Sequence, residues 1–343
     1  MIYKTSIIFS FSVLAENIKP KERTNFMIIP NNELKQYFFG AVRFEESDGF
    51  LFPRRFTEKQ SEYTLHDENL TVKAKCSAGV TIEFETDAER VSFDALLLNS
   101  SRFYYSVDVW VDGVLAFDFS EANVPFGTQK RVDFSMKKGV KKVAIYLPCL
   151  FETGVANFEV DGELKPVEKG EKILFLGDSI TQGYVAKFTS LCYASVIARR
   201  LGANSLNQAI AGDVFDANNI DAELDFLPEK IFVAYGTNDW SLDCDIKTSS
   251  RAFVERLTEV YPSAEIYLIL PIYRTDIDDE YNKCRPPFRE YIGELKAVAE
   301  SFSGVRVIDG WHLVPHVARL FDDGLHPNDL GFSFYADALM ENI

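Results

Sequence analysis

The chain has 343 residues, 47% of them hydrophobic and 26% charged, which is enough apolar material for more than one core and excludes a disordered chain. Its 36 Lys and Arg stand against 52 Asp and Glu, a formal net charge of -16 that repels phosphate backbones and anionic lipid. Nucleic acid and a membrane surface are therefore not expected as partners, and Cys76, Cys149, Cys192, Cys244 and Cys284, scattered without a CxxC pair, indicate neither a disulfide framework nor a zinc knuckle.

At the N-terminus, within a leading segment 1–35, the apolar run Ser6 to Ala15 after Lys4 resembles a short secretory leader. Ser6, Ser10 and Ser12 interrupt it, the charged stretch Lys19 to Arg23 follows, and Met27 offers a second start. The cytoplasmic reading is preferred to the secreted one. No other segment approaches the roughly twenty apolar residues of a membrane span.

Residues 36–165 read as an all-β domain. Val80 to Thr86, Phe103 to Val111, Lys142 to Leu147 and Ala156 to Val160 alternate or run β-rich, and helical periodicity is absent between Gly40 and Gly162. Asp112-Gly113 between two valines is a hairpin signal, because both central positions of a type I′ turn need positive φ. Short strands with regular turns predict a jelly-roll-like β-sandwich.

After the charged link Glu163 to Lys172 the rhythm changes. Apolar runs at Ile173 to Leu176, Ser205 to Asn207, Ile231 to Tyr235, Ile266 to Leu270 and Val305 to Ile308 alternate with amphipathic stretches at 192–201, 249–261, 287–302 and 331–342. This predicts a second domain over 170–343, an α/β unit with a parallel sheet covered by helices on both faces. Ligands in such sheets sit beyond the carboxyl ends of the strands.

Candidate chemistry falls at those ends. Gly177-Asp178-Ser179-Ile180-Thr181-Gln182-Gly183 follows the first strand and presents a serine; Thr181 rules out the GxSxG elbow. Serine needs an adjacent base, and the base needs a carboxylate to fix its tautomer. Asp323 and His326 supply both from one polar loop before the last helix. Asn238, in Gly236-Thr237-Asn238-Asp239, can donate through its amide, and Gly212 and Ser179 through backbone N–H, to the oxygen that becomes negative during acyl transfer. Taken singly, each of these segments reads as an ordinary turn or helix cap.

Together, over 172–342, these four blocks resemble the SGNH, or GDSL, hydrolases. The resemblance implies a three-layer α/β/α, flavodoxin-like fold, with Ser179 as nucleophile and first oxyanion donor, Gly212 and Asn238 as the other donors, and Asp323 with His326 completing a triad. At the second block the pattern departs, with Ala209 at a position often glycine and Asp213 after the matched glycine. A β-sandwich ahead of such a domain is similar to family two of the carbohydrate esterases, which implies deacetylation of a sugar or glycan, with a small-molecule or glycan ester as partner and the sandwich as either a glycan binder or a wall of the cleft.

Trp240 beside Asn238 is a candidate substrate contact, weighed against packing. Trp311, Leu313, Val314 and Val317 suit a packed helix, His312 and His316 are read as structural, and His66 as a solvated polar residue. Asp276, Asp278, Asp279 and Glu280 lack EF-hand spacing and read as a solvated loop. No cofactor or metal is expected. The leading reading is a serine esterase for short acyl groups. A lipase or thioesterase for longer chains, or a catalytically silent glycan-binding protein, is the alternative.

Overall fold

A computed structural model of the chain describes residues 26–277 and 286–343. The apolar run Ser6 to Ala15, the stretch Lys19 to Arg23, Cys284 and the acids Asp278, Asp279 and Glu280 lie outside the described residues.

Two antiparallel sheets come first. One runs Arg43–Ser47, Phe50–Arg54, Phe151–Val160, Arg90–Ser100, Thr128–Ser135, with Met27–Ile29 also on Phe151–Val160. The other runs Leu164–Pro166, Thr81–Thr86, Lys141–Tyr146, Tyr104–Val111, Val114–Ala122, with Phe38–Phe39 on Thr81–Thr86. Because side chains alternate across a strand, Val91, Phe93, Ala95 and Leu97 point inward together and meet Ile82, Phe84, Val107 and Val109 of the opposite sheet. Asp112 and Gly113 both take positive φ, 49° and 79°, and Val111 pairs with Val114, the hairpin their sequence predicts.

The expectation that no helix occurs between Gly40 and Gly162 is corrected. Helices Glu58–Tyr63 and Glu68–Lys75 interrupt the strands, joined by the single 3-10 turn Thr64–His66. Both are too short to persist on their own and are held at their starts. Thr57 and Gln60 form a reciprocal capping box, and Asp67 accepts from the Asn69 and Leu70 amides. His66 is exposed, its Nδ1 2.6 Å from the Tyr63 carbonyl.

From Lys172 the pairing becomes parallel. The five strands lie in the order Asn204–Asn207, Lys172–Gly177, Lys230–Ala234, Glu265–Ile269, Val305–Ile308. Both faces are apolar because both are covered: Ile173 and Phe175 pack toward helices Tyr193–Leu201 and Asp329–Met340, Leu174 and Leu176 toward Ile246–Val260 and Phe288–Glu300. Phe175, Phe232 and Tyr267 stack across three neighbouring strands, centroids 5.2 and 5.1 Å apart. The chain starts at the second position of this sheet, moves outward to one edge and returns past its start. The order therefore reverses between Lys172–Gly177 and Lys230–Ala234, which is where a doubly wound sheet opens a crevice. Trp311 and Leu313 sit on the 3-10 turn Gly310–His312 and beyond it, not on the packed helix their spacing suits. Among the described residues no helix is long and apolar enough to cross a membrane.

The antiparallel and parallel halves meet through polar groups. Arg55, 1% exposed, donates to the carbonyls of Cys76, Lys73 and Ala74 on its own side and of Asn207 and Ala209 on the other. Gln60 and Gln208 exchange amide hydrogen bonds nearby, and Thr57 donates to Asp221 at 2.7 Å.

Candidate active site

Ser179 opens the turn after Lys172–Gly177. Glycine is required at 177, where a Cβ would stand 2.3 Å from Thr181 Oγ1 and 2.8 Å from the Ala234 carbonyl, so the turn folds tightly against the neighbouring strand. Asp178 caps it, accepting from the Ile180 amide at 3.0 Å.

Ser179 Oγ lies 2.7 Å from His326 Nε2, and His326 Nδ1 lies 2.7 Å from Asp323 Oδ2. An ionised carboxylate only accepts, so Nδ1 carries the proton and Nε2 is left to accept from the serine hydroxyl. The loop that holds them is built locally. Asp323 Oδ1 accepts from the amides of His326 and Leu325, and Asn328 caps Asp329–Met340 through the Gly331 amide. Partial burial pushes the Asp323 carboxyl up, but hydrogen bonds from the His326 ring and amide outweigh it and hold the group well below the usual carboxylate range. The Tyr184 ring leans on the His326 ring at 4.7 Å, and Arg102, from the antiparallel half, lies over Tyr184 at 5.3 Å. Neither residue carries a sequence signal.

Three donors face the same crevice by topology, one after each of the first three parallel strands in chain order. The N–H groups of Ser179 and Gly212 have no acceptor within the described residues. The Asn238 amide donates one proton to the Asp213 carbonyl at 2.9 Å, which orients it and leaves its second proton available. Asp213, the departure at the second block, thus positions Asn238. Gln182 ties the blocks together, accepting from the Ala211 amide at 2.7 Å and donating to the Lys73 carbonyl at 2.9 Å. Trp240 does not stand in the crevice. It is 4% exposed, donates to the Pro286 carbonyl and packs on Phe288, so the structure favours packing over substrate contact. His316 stacks on Tyr273 at 4.0 Å, and Asp276 pairs with the buried Arg274.

Beneath the nucleophile lie three buried acids. Burial pushes Asp178 up to about 7, Asp213 up to about 8 and Asp239 up to about 6, and neighbouring carboxylates add to the first two. A raised carboxyl keeps its proton in the folded chain after the unfolded chain has lost it, so stability from this cluster falls as pH rises from about 4 to about 8. Asp239→Asn is expected to flatten that slope by about 1.4 kcal/mol between pH 5 and pH 8. Urea unfolding at both pH values checks this, and an unchanged or steeper slope counts against it.

A flavodoxin-ordered parallel sheet with a serine, histidine and aspartate linked at its switch point is the architecture of an acyl-transfer domain. Residues 175–333 match the model of the GDSL-like Lipase/Acylhydrolase family. That match supports an acylhydrolase activity. No curated protein matches the chain at a significant level.

Solved structures share the whole two-part fold. A salicylyl-acyltransferase from a tetracycline biosynthetic pathway superposes with a TM-score of 0.77 at 21% identity, covering 89% of this chain and 92% of that one. A protein described as a GDSL-like lipase, from Bacteroides ovatus, gives 0.72 at 20% identity, covering 93% and 97%. A family two carbohydrate esterase from Clostridium thermocellum, solved with cellohexaose, gives 0.60 at 19% identity, covering 86% and 98%. At these identities the likeness is one of fold, and it includes the β-rich half ahead of the parallel sheet.

Proposed function

We propose that the chain is a serine ester hydrolase that removes short acyl groups, acetyl first, from a carbohydrate or other small ester. The observation that carries this reading is the continuous link of Ser179, His326 and Asp323 at 2.7 Å per step, at the switch point of the sheet. His326 Nε2 takes the hydroxyl proton as Ser179 Oγ bonds to the ester carbonyl carbon. The carbonyl π electrons move to oxygen, which the N–H groups of Ser179 and Gly212 and the Asn238 amide receive. As the carbonyl re-forms, the alcohol leaves with the proton from His326, and an acyl-Ser179 ester remains. Water, deprotonated by the same imidazole, repeats the sequence and releases the acid.

The sugar preference is supported by the fold likeness to a carbohydrate esterase.

Initial rates on p-nitrophenyl acetate, butyrate and octanoate test the reading. The rate is expected to fall by on the order of tenfold or more from acetate to octanoate if short acyl groups are the substrates. Fastest turnover of octanoate would favour a longer-chain lipase or thioesterase. A folded chain that turns over none of them would favour a silent glycan-binding protein.

A further inference from the structure

Gly212 is exposed and takes φ +91°, and its side-chain face is open except for one group. Among the described residues, the only atom near where a Cβ would stand is Lys73 Nζ, at 3.3 Å. Lys73 comes from the antiparallel half, in the last turn of helix Glu68–Lys75. Its backbone is clamped to the parallel half, since its carbonyl accepts from Gln182 at 2.9 Å and from Arg55 at 3.0 Å. Gln182 belongs to the nucleophile turn and Arg55 reaches the second block, so the same contacts that join the two halves fix where this ammonium emerges.

The ammonium itself has no hydrogen bond or ion pair among the described residues. It is half-buried, and burial lowers its proton affinity against the opposing pull of Asp67 and Asp213. Lysine at a helix C-terminus ordinarily answers the helix dipole. Lys73 and Lys75 both lie in the last turn of this helix, and of the two only Lys75 is exposed. A desolvated cation is costly unless a counter-charge meets it. In a chain of net charge -16, this one is instead turned to the open side of an oxyanion-donor candidate.

We propose that Lys73 is a specificity residue that selects esters carrying a carboxylate or other monoanion a few bonds from the scissile carbonyl. The carbonyl oxygen sits at the Gly212 amide while the anionic group pairs with Lys73 Nζ. This rests on the reading of Ser179 as nucleophile and deepens it by naming a charge on the substrate. The anionic group can belong to the acid or to the alcohol, and the two are separable.

The test compares the full chain with Lys73→Met and Lys73→Arg on two matched pairs of esters. p-Nitrophenyl hemiglutarate against p-nitrophenyl butyrate places the charge on the acyl side; para-acetoxybenzoate against its methyl ester places it on the alcohol side. In one pair, the charged-to-neutral ratio of kcat/KM is expected to fall by on the order of tenfold in Lys73→Met, as loss of a charged hydrogen bond predicts, and to be partly kept in Lys73→Arg. Ratios unchanged in both pairs, or charged and neutral esters declining together, would overturn it. Calorimetry of the same four esters into Ser179→Ala, with and without Lys73→Met, reads the preference without turnover. An inactive wild type would therefore sink the nucleophile reading alone, whereas equal affinity for charged and neutral esters would sink the role of Lys73.

Discussion

Ser179→Ala is expected to lower kcat/KM on p-nitrophenyl acetate by about a thousandfold or more while the chain stays folded. The loss is large because the hydroxyl oxygen is the only protein atom that bonds to the acyl carbon in the proposed sequence. What survives is the contribution of the backbone donors, since the substitution leaves the N–H of that position in the same turn. Folding is spared for a local reason. Ser179 Oγ makes one side-chain hydrogen bond, to His326, and its loss costs about 1 kcal/mol. The backbone of the turn is set instead by the Asp178 cap and the close approach of Gly177 to Ala234. His326→Ala should cost as much in rate, and the double variant little more than either single one, because nucleophile and base act as a unit. Initial-rate kinetics beside a thermal melt decide it. A Ser179→Ala enzyme retaining a tenth of the wild-type rate, or losses that multiply in the double variant, would remove Ser179 from the chemistry.

The parts of this site that could be read in the sequence are those whose chemistry is contiguous. Gly177 to Gly183 and Asp323 to Asn328 each carry nucleophile or base together with the turn residues that hold them, so a few consecutive residues describe a whole local structure. The five parallel strands were legible for a related reason: coverage on both faces makes them continuous apolar runs, as at Ile173 to Leu176. Trp240 shows how adjacency misleads. It follows Asn238 by two residues in helix Thr237–Ser241, and positions two apart on a helix do not share a face, so Asn238 turns to Asp213 while Trp240 turns to Phe288. Helices Glu58–Tyr63 and Glu68–Lys75 carry little apolar periodicity, and their only sequence trace is the caps at Thr57 and Asp67. Arg55, Lys73 and Gln182 leave no trace at all. Arg55 lies 152 residues from Asn207, and Lys73 109 residues from Gln182, and no local pattern announces a contact made at that range.

Those long-range contacts also locate the point where the two halves depend on each other. Arg55→Met is expected to destabilise the chain by about 3–5 kcal/mol, because a methionine of similar length fills the space and donates to none of the five carbonyls. Each buried carbonyl left without a donor costs about 1–3 kcal/mol, and water cannot reach all of them at a position 1% exposed. Burial already works against the guanidinium, lowering it to about 10, but a charge spread over five carbonyl oxygens keeps it ionised at neutral pH. Arg55→Lys would not restore the network, since an ammonium presents three donors from one point where the guanidinium spans both halves in a plane. Urea unfolding followed separately by a sheet signal and by esterase activity reads the consequence. The wild type should lose both in one transition. In Arg55→Met, activity should be lost at lower urea than the sheet signal, because the helix that carries Lys73 and meets Gln182 is released from the second block before either sheet unfolds. Coincident transitions at the wild-type midpoint would mean that the apolar cores and the other polar contacts between the halves, among them Gln60 with Gln208, Thr57 with Asp221 and the Ser190 amide with Asp108, suffice to hold the halves together without Arg55.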